Sequence, residues 1–444
     1  MNADKRGTSR NEQRAWYLYD WANSAFYTTV VTLFLGPYLT ALARAGADAQ
    51  GNVYLLGVPL AVQSVWPYAV SFSKFTEVLA LPLFGAIADY GGRKREMLGA
   101  LAAIGSAATA AMFFLDGSRW LLGVLLFQVA NFTFGASIVI YNAFLPEIAA
   151  PDERDAVSSR GWAMGYVGGG LLLVLNLLLY SNAQHLGITG GTAVRISLAS
   201  AGIWWAVFSI IPVRVLRNRK PHKVPAPGEH YLGAGFRQLM RTLREVRAYP
   251  MTLLFLAAYL IYNDGIQTVI AMAAQFGSEE LKFPMTTLTT AIIITQFVGI
   301  AGALLFGRIA GHLGARRAVI LSLAVWTATL IYIYRGVHSS GEFYGAAAVI
   351  GLVLGGSQAL SRSLYSLMVP KGQEAEYFSI YEVSDKGTSW LGPLLFGLAL
   401  QWTGSFRLAI LSLILFFALG IVLLAKVDVR RAAVEAGNEP PTRG

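Results

Sequence analysis

Twelve apolar runs recur along the chain, each long enough to cross about 30 Å of hydrocarbon as a helix. They fall at 17–43, 66–88, 97–115, 120–144, 158–180, 196–213, 251–274, 286–307, 318–334, 343–365, 378–401 and 408–425. Polar turns separate them, and one long polar interruption, Arg214 to Pro250, divides six runs from six. The pattern predicts an all-α polytopic membrane protein with 12 transmembrane helices in two six-helix bundles. The bundles are 1–213 and 251–444, the latter ending in a short tail, with a basic linker at 214–250 between them.

Composition supports lipid as solvent. Of the 444 residues 55% are hydrophobic and 14% charged, against about 25% charged in a soluble domain. A surface so poor in charge has to be covered by membrane lipid. The basic start of the chain precedes an apolar run too long for a signal-peptide core, so this run reads as a retained first span.

The net charge of +10 would point to nucleic acid in a soluble chain, but its distribution speaks for topology. With both termini placed in the cytoplasm, 25 of the 35 Lys and Arg residues fall in cytoplasmic segments and 6 in the opposite loops. That split follows the positive-inside rule and leaves no charge excess for nucleic acid to explain. The expected setting is a bacterial inner membrane, and nothing in the pattern calls for more than a monomer. In the linker, 237–247 has the spacing of a basic amphipathic helix that would lie on anionic headgroups.

The halves echo each other. Gly85-Ala-Ile-Ala-Asp89-Tyr-Gly-Gly92-Arg93-Lys94-Arg95 follows the second run, and Gly307-Arg-Ile-Ala-Gly311-His-Leu-Gly314-Ala-Arg316-Arg317 follows the eighth, 222 residues later. Leu145-Pro146-Glu147 before the fifth run is matched by Val369-Pro370-Lys371 before the eleventh. Duplicated halves mark carriers that rock about a central site.

The Gly-x-x-x-Asp-x-x-Gly-Arg-Lys pattern resembles the loop between spans two and three of the major facilitator superfamily, and span number, linker and duplicated loop extend the likeness over the whole chain. The resemblance implies a conformational latch in which Asp89 faces the positive N-terminal end of span eleven, while Arg93 and Lys94 meet carboxylates or lipid phosphates. The second copy has Gly311 in place of the aspartate, so a weaker latch is expected there. The plainer reading is that these bases only fix topology. Tyr19-Asp20-Trp21-Ala22-Asn23-Ser24-Ala25-Phe26, Tyr262-Asn263-Asp264-Gly265-Ile266-Gln267-Thr268, and Lys386 with Gly392-Pro393 resemble the branch that includes the autophagy-related vacuolar amino-acid effluxers. That likeness implies outward movement of small solutes such as amino acids.

Ionisable groups at membrane depth cost on the order of several kcal/mol unless paired or hydrated, and usually mark a pathway. Nine fall within the runs: Asp20, Lys74, Glu77, Arg160, Asp264, Arg362, Glu382, Asp385 and Lys386. Asp264 lies near the middle of span seven, with Asn263 and Gln267 beside it at helical spacing and Gly265 allowing close approach. It reads either as a site for a substrate amine or proton, or as the buried partner of a base. Lys74 and Glu77, three residues apart, are a self-neutralising pair or a pair that opens to a zwitterion. Asp20 and Asn23 either bind substrate or brace the gate. Glu382, Asp385 and Lys386 lie nearer the cytoplasmic end and suit a latch. Arg160 and Arg362 sit at cytoplasmic ends, where snorkelling is cheap; they read either as structural partners or as gate or latch residues, with Gln358 placed to brace Arg362. In span five, Gly161, Gly165, Gly168, Gly169 and Gly170 either echo the superfamily's antiporter motif or simply allow close helix packing.

The chain has no cysteine and five histidines without ligand-like spacing, so neither a thiol nor a metal site is expected. No phosphate-binding Gly-rich loop ending in Gly-Lys-Ser/Thr is present. No cofactor and no enzyme chemistry are expected. The expectation is a secondary active transporter using alternating access, effluxing amino acids or similar polar metabolites, its partners being the small-molecule substrate, protons and membrane lipids. Two alternatives are a proton-coupled importer of peptides, sugars or drugs, and a non-transporting receptor or scaffold that works through the linker.

Overall fold

The computed structural model describes residues 3–62, 65–219, 248–283, 285–386, 392, 395–396, 399, 403 and 405–441. The linker segment 221–247 and Pro393 lie outside the described residues, as do the side chains of Lys74, Glu382, Asp385 and Lys386.

Helices follow the apolar runs. Span one comprises α1 (Ala3–Phe26), a wider π-helical stretch at Tyr27–Phe34 and α2 (Leu35–Ala45). After it come α3 (Val65–Gly91), α4 (Lys94–Ala111), α5 (Trp120–Ala143), the single turn α6 (Leu145–Ile148), α7 (Arg154–Ser181) and α8 (Gly190–Val215). Beyond the linker are α9 (Pro250–Gln275), α10 (Met285–Leu313), α11 (Ala315–Gly336), α12 (Ser340–Ser366), α13 (Glu374–Lys386), α14 (Phe406–Ser412), α15 (Ile414–Ala425) and α16 (Val429–Glu435).

Among the described residues nine helices are long and apolar enough to cross a bilayer, and the bent pair around Phe34 supplies a tenth if it is one span. The remaining two expected spans, 66–88 and 378–401, take in residues or side chains outside the description; their described parts are α3 and α13. Leucines exposed by 56% at Leu125 and 63% at Leu415 are surfaces that water would penalise and lipid tails accept.

Local chemistry sets the helix ends. The Thr189 hydroxyl accepts from the Thr192 amide at the start of α8, and Ser339 with Glu342 forms a capping box at α12. The two glycines paired by the 222-residue offset, Gly92 and Gly314, both adopt positive φ, 58° and 85°. This left-handed turn carries the chain from α3 to α4 and from α10 to α11, and it costs a glycine little.

Between α2 and α3 lies a feature the apolar pattern does not announce, an antiparallel hairpin. Strand β1 (Asn52–Leu55) pairs with β2 (Val58–Ala61), Leu55 opposite Val58, across a turn in which both Leu56 and Gly57 have positive φ. Asp48 accepts hydrogen bonds from the Tyr54 hydroxyl (2.6 Å) and the Asn52 amide (2.9 Å). These contacts hold its carboxyl below the usual range.

Contacts group the chain into two compact units: 1–81 with 92–141 and 164–220, and 82–91 with 142–163 and 221–444. The short pieces 82–91 and 142–163 belong to the amino-terminal half of the sequence yet pack with the carboxy-terminal half. The first unit is centred on Trp16, Tyr19, Phe26 and Tyr141, and the second on Tyr259, Tyr262, Trp326 and Tyr365, all with less than 2% exposure.

Candidate functional site

In the first unit, Asp20 (7% exposed) accepts a 2.7 Å hydrogen bond from the Tyr141 hydroxyl. The Trp16 ring stacks on Tyr141, its Nε1 donating to the Tyr141 carbonyl. Asn23 is buried, and its Nδ2 has no hydrogen-bond partner among the described residues. The glycines of α7 fit against span one: a Cβ at Gly168 would collide with the Trp21 carbonyl, and one at Gly165 with Ser24 Oγ. Close packing accounts for this stretch of the glycine run.

Glu77 is 1% exposed, and Asn131 Nδ2 on α5 donates to its Oε1 at 2.5 Å. The same Nδ2 reaches Ser73 Oγ at 2.8 Å, one turn back on α3. Asn131 and Ser73 escape the sequence reading, which pairs Glu77 with Lys74. The available signal was an asparagine in an otherwise apolar run.

In the second unit, Asp264 is 3% exposed. Its Oδ2 accepts from the Gly392 amide of span eleven at 2.9 Å. Its Oδ1 is buried without a hydrogen-bond partner among the described residues. Gly265 lets α15 approach, since a Cβ there would lie 2.8 Å from Phe416. Beside it, Asn263 Oδ1 accepts from Gln358 Nε2 (2.8 Å), and the hydroxyls of Tyr262 and Ser361 lie 2.6 Å apart. Gln358 therefore serves Asn263 and not Arg362, a difference from the sequence reading. Gln267 is half-buried and makes no hydrogen bond among the described residues.

A second polar cluster lies at the Lys/Arg-rich face of the same unit. Asp89, 6% exposed, accepts from the amides of Ala375 (Oδ1, 3.2 Å) and Glu376 (Oδ2, 3.0 Å) in the first turn of α13. A carboxylate here satisfies amides that the helix itself leaves open and meets the positive end of its dipole. Gly85 allows the approach, because any Cβ would collide with the Ala375 carbonyl.

Arg362 is 4% exposed; its Nε donates to Ser158 Oγ and its Nη2 to the Ser158 carbonyl, both at 2.9 Å, and the guanidinium lies 5.4 Å from the Trp162 ring centre. Ser158 Oγ in turn donates to the Ala359 carbonyl at 2.7 Å. Ser363 donates to Asp155. Arg154, 5% exposed, donates to the carbonyls of Ser366 (2.7 Å), Ala149 and Pro146.

Arg154 and Asp155 are missed by the sequence reading, which counts Arg154 as a topology charge and picks Arg160. Arg160 is exposed and has no hydrogen-bond or ion-pair partner among the described residues. Arg93 is exposed and Lys94 buried. Among the described residues no group of His, Cys, Asp or Glu is placed to hold a metal.

Twelve apolar spans in duplicated halves, with buried polar clusters at mid-span and at the basic face, define a multi-pass membrane carrier of the major facilitator type. The chain belongs to the family described as vacuole effluxer Atg22 like, whose profile matches residues 8–437. It is 31% identical over 420 residues to the uncharacterized MFS-type transporter YxiO of Bacillus subtilis, covering 94% of each chain. It is 26% identical to autophagy-related protein 22 of Pyricularia oryzae, covering 97% of this chain and 78% of that one. Among solved structures it resembles the proton:xylose symporter XylE (TM-score 0.68, 12% identity, 96% of each chain covered). It also resembles a bacterial homologue of the iron transporter ferroportin in an outward-facing state (TM-score 0.66, 16% identity, 94% of this chain and 98% of that one). These relatives and neighbours are transporters, not enzymes.

Proposed function

We propose that this transporter works by alternating access and moves amino acids or similarly small polar metabolites outward, with Asp264 as the residue that takes the substrate amine or a proton. The observation that carries this reading is the carboxylate of Asp264, whose Oδ1 is buried without a donor among the described residues. A buried oxygen without a donor is costly, and such a group calls for an explanation. A substrate ammonium or a proton supplies one. Asn263 and Gln267 on the same helix are its proposed companions. Asp20, Asn23, Lys74 and Glu77 of the first bundle are proposed as that bundle's own substrate or proton groups, donors and acceptors of the kinds that suit a zwitterion.

The Asp89–α13 contact, with Arg154, Ser158, Arg362 and Ser363, is proposed as the cytoplasmic gate. Arg93, Lys94, Glu382, Asp385 and Lys386 are proposed as further members of this gate or latch, the exposed Arg93 for lipid phosphates and the buried Lys94 for a carboxylate. In the proposed cycle the bundles 1–213 and 251–444 rock about the site while the linker 214–250 tethers them. A proton or the substrate gradient drives the movement. It is proposed to act as a monomer in a cell membrane, with both termini in the cytoplasm; the distribution of Lys and Arg supports that sidedness.

The test begins with a thermal-shift screen of purified protein against amino acids, dipeptides and sugars. Flux of the hits is then measured in proteoliposomes with Asp264→Asn beside the parent. Amino-acid hits and loss of flux in the variant support the reading. Unchanged, pH-independent flux in Asp264→Asn defeats the role given to that residue.

A further inference from the structure

The duplicated loop is occupied differently in its two copies. In the first, Asp89 holds the amides at the start of α13. In the second the matching position is Gly311, where a Cβ would find nothing within 4 Å. The open space is a cavity of about 260 Å³, lined among others by Pro151 and Asp152 ahead of α7, by Gly311 and Arg316, and by Val429 and Pro441 of the C-terminal tail. The glycine one helical turn earlier keeps its packing role: Gly307 lies against Ser159 of α7 as Gly85 lies against Ala375. The second copy has kept its close helix contact and lost its carboxylate.

The tail packs along one side of this space. Val427, Val429, Ala432 and Ala433 are buried, the first, third and fourth completely. Arg316 Nη1 donates to the Val427 carbonyl at 2.6 Å. Asn438 Nδ2 donates to the carbonyls of Leu367 (3.0 Å) and Val369 (2.7 Å). Those carbonyls belong to the loop between α12 and α13, whose other end Asp89 holds through Ala375 and Glu376. The tail and Asp89 therefore grip the same loop at its two ends.

We propose that the C-terminal tail is a strap standing in for the missing half of the gate, with Asn438 as its positioning residue. This rests on reading the Asp89 contact as a gate. The strap stabilises the state in which the loop is held. In the proposed opening the two carbonyls leave Asn438. The tail thereby sets the balance between gate-closed and gate-open states without touching substrate.

The chain has no cysteine, so a single reporter can be read cleanly. Ala359→Cys, at a position with no exposure beneath the Ser158 contact, is labelled with a membrane-impermeant maleimide in inside-out vesicles holding the full-length protein. Asn438→Ala, and separately the near-isosteric Asn438→Asp, which lacks the donor, should label roughly tenfold faster than the parent. Adding Gly311→Asp to Asn438→Ala should bring the rate back to within about twofold of the parent. Asp89→Asn serves to separate the two ideas. Faster labelling there with parent-like rates in both Asn438 variants overturns the strap and leaves the gate standing. A parent-like rate in Asp89→Asn overturns the gate, and the strap with it.

Discussion

Asp89 and Asp264 are both buried aspartates that accept backbone amides from span eleven, and they differ in one respect. Asp89 has both oxygens engaged, by Ala375 and Glu376. Asp264 has one engaged by Gly392 and the other without a donor among the described residues. A carboxylate fully engaged by a helix start has done its work once the helix is in place, and suits a latch. A carboxylate with a spare oxygen retains capacity for a ligand, and suits a site. The lesson is that burial alone does not separate structure from function. The tally of satisfied oxygens does.

The sharpest way to break this comparison is at the spare oxygen. Asp264→Asn should lower substrate flux about a hundredfold, the cost of a charge-assisted contact of roughly 2–3 kcal/mol, while the melting temperature moves little. Equal losses of flux and folding would make Asp264 a structural residue like any other. Next in size is Asp89→Asn. It keeps one acceptor but faces an amide with its NH₂, and should shift the gate equilibrium about tenfold toward the open state, read by cysteine accessibility. Asn131→Ala removes the donor to Glu77 and should raise KM severalfold with a smaller change in kcat. Arg160→Gln, exposed and without a partner among the described residues, should leave flux and stability within about twofold of the parent. A large effect there would restore it to the gate.

Much of the fold was legible because hydrocarbon thickness dictates span length and lysine and arginine report sidedness. The duplicated loop was legible for a related reason, since the positions of Gly85, Asp89 and Gly92 recur at fixed spacing as Gly307, Gly311 and Gly314, and two of those three need a missing Cβ on either side. What stayed hidden depends on tertiary pairing. Arg154 looks like any basic residue at a membrane edge, and only the fold brings it to the Ser366 carbonyl. Asn131 and Glu77 lie on different helices, with no spacing to link them. The hairpin at 52–61 turns on Leu56-Gly57, without the Asn-Gly or Asp-Gly signal that announces such turns. Asn438 sits beyond the last span, where apolar periodicity carries no information.

The central claim, that the spare oxygen of Asp264 is the point where ligand or proton is exchanged, is tested most directly by difference infrared spectroscopy of the reconstituted protein. Parent and Asp264→Asn are perfused in turn with buffers of stepped pH and with the amino acid that gives the largest thermal shift. A carboxyl band that responds to both perfusions is expected in the parent and absent from the variant. The same carboxyl bands in both proteins, responding alike, would contradict it.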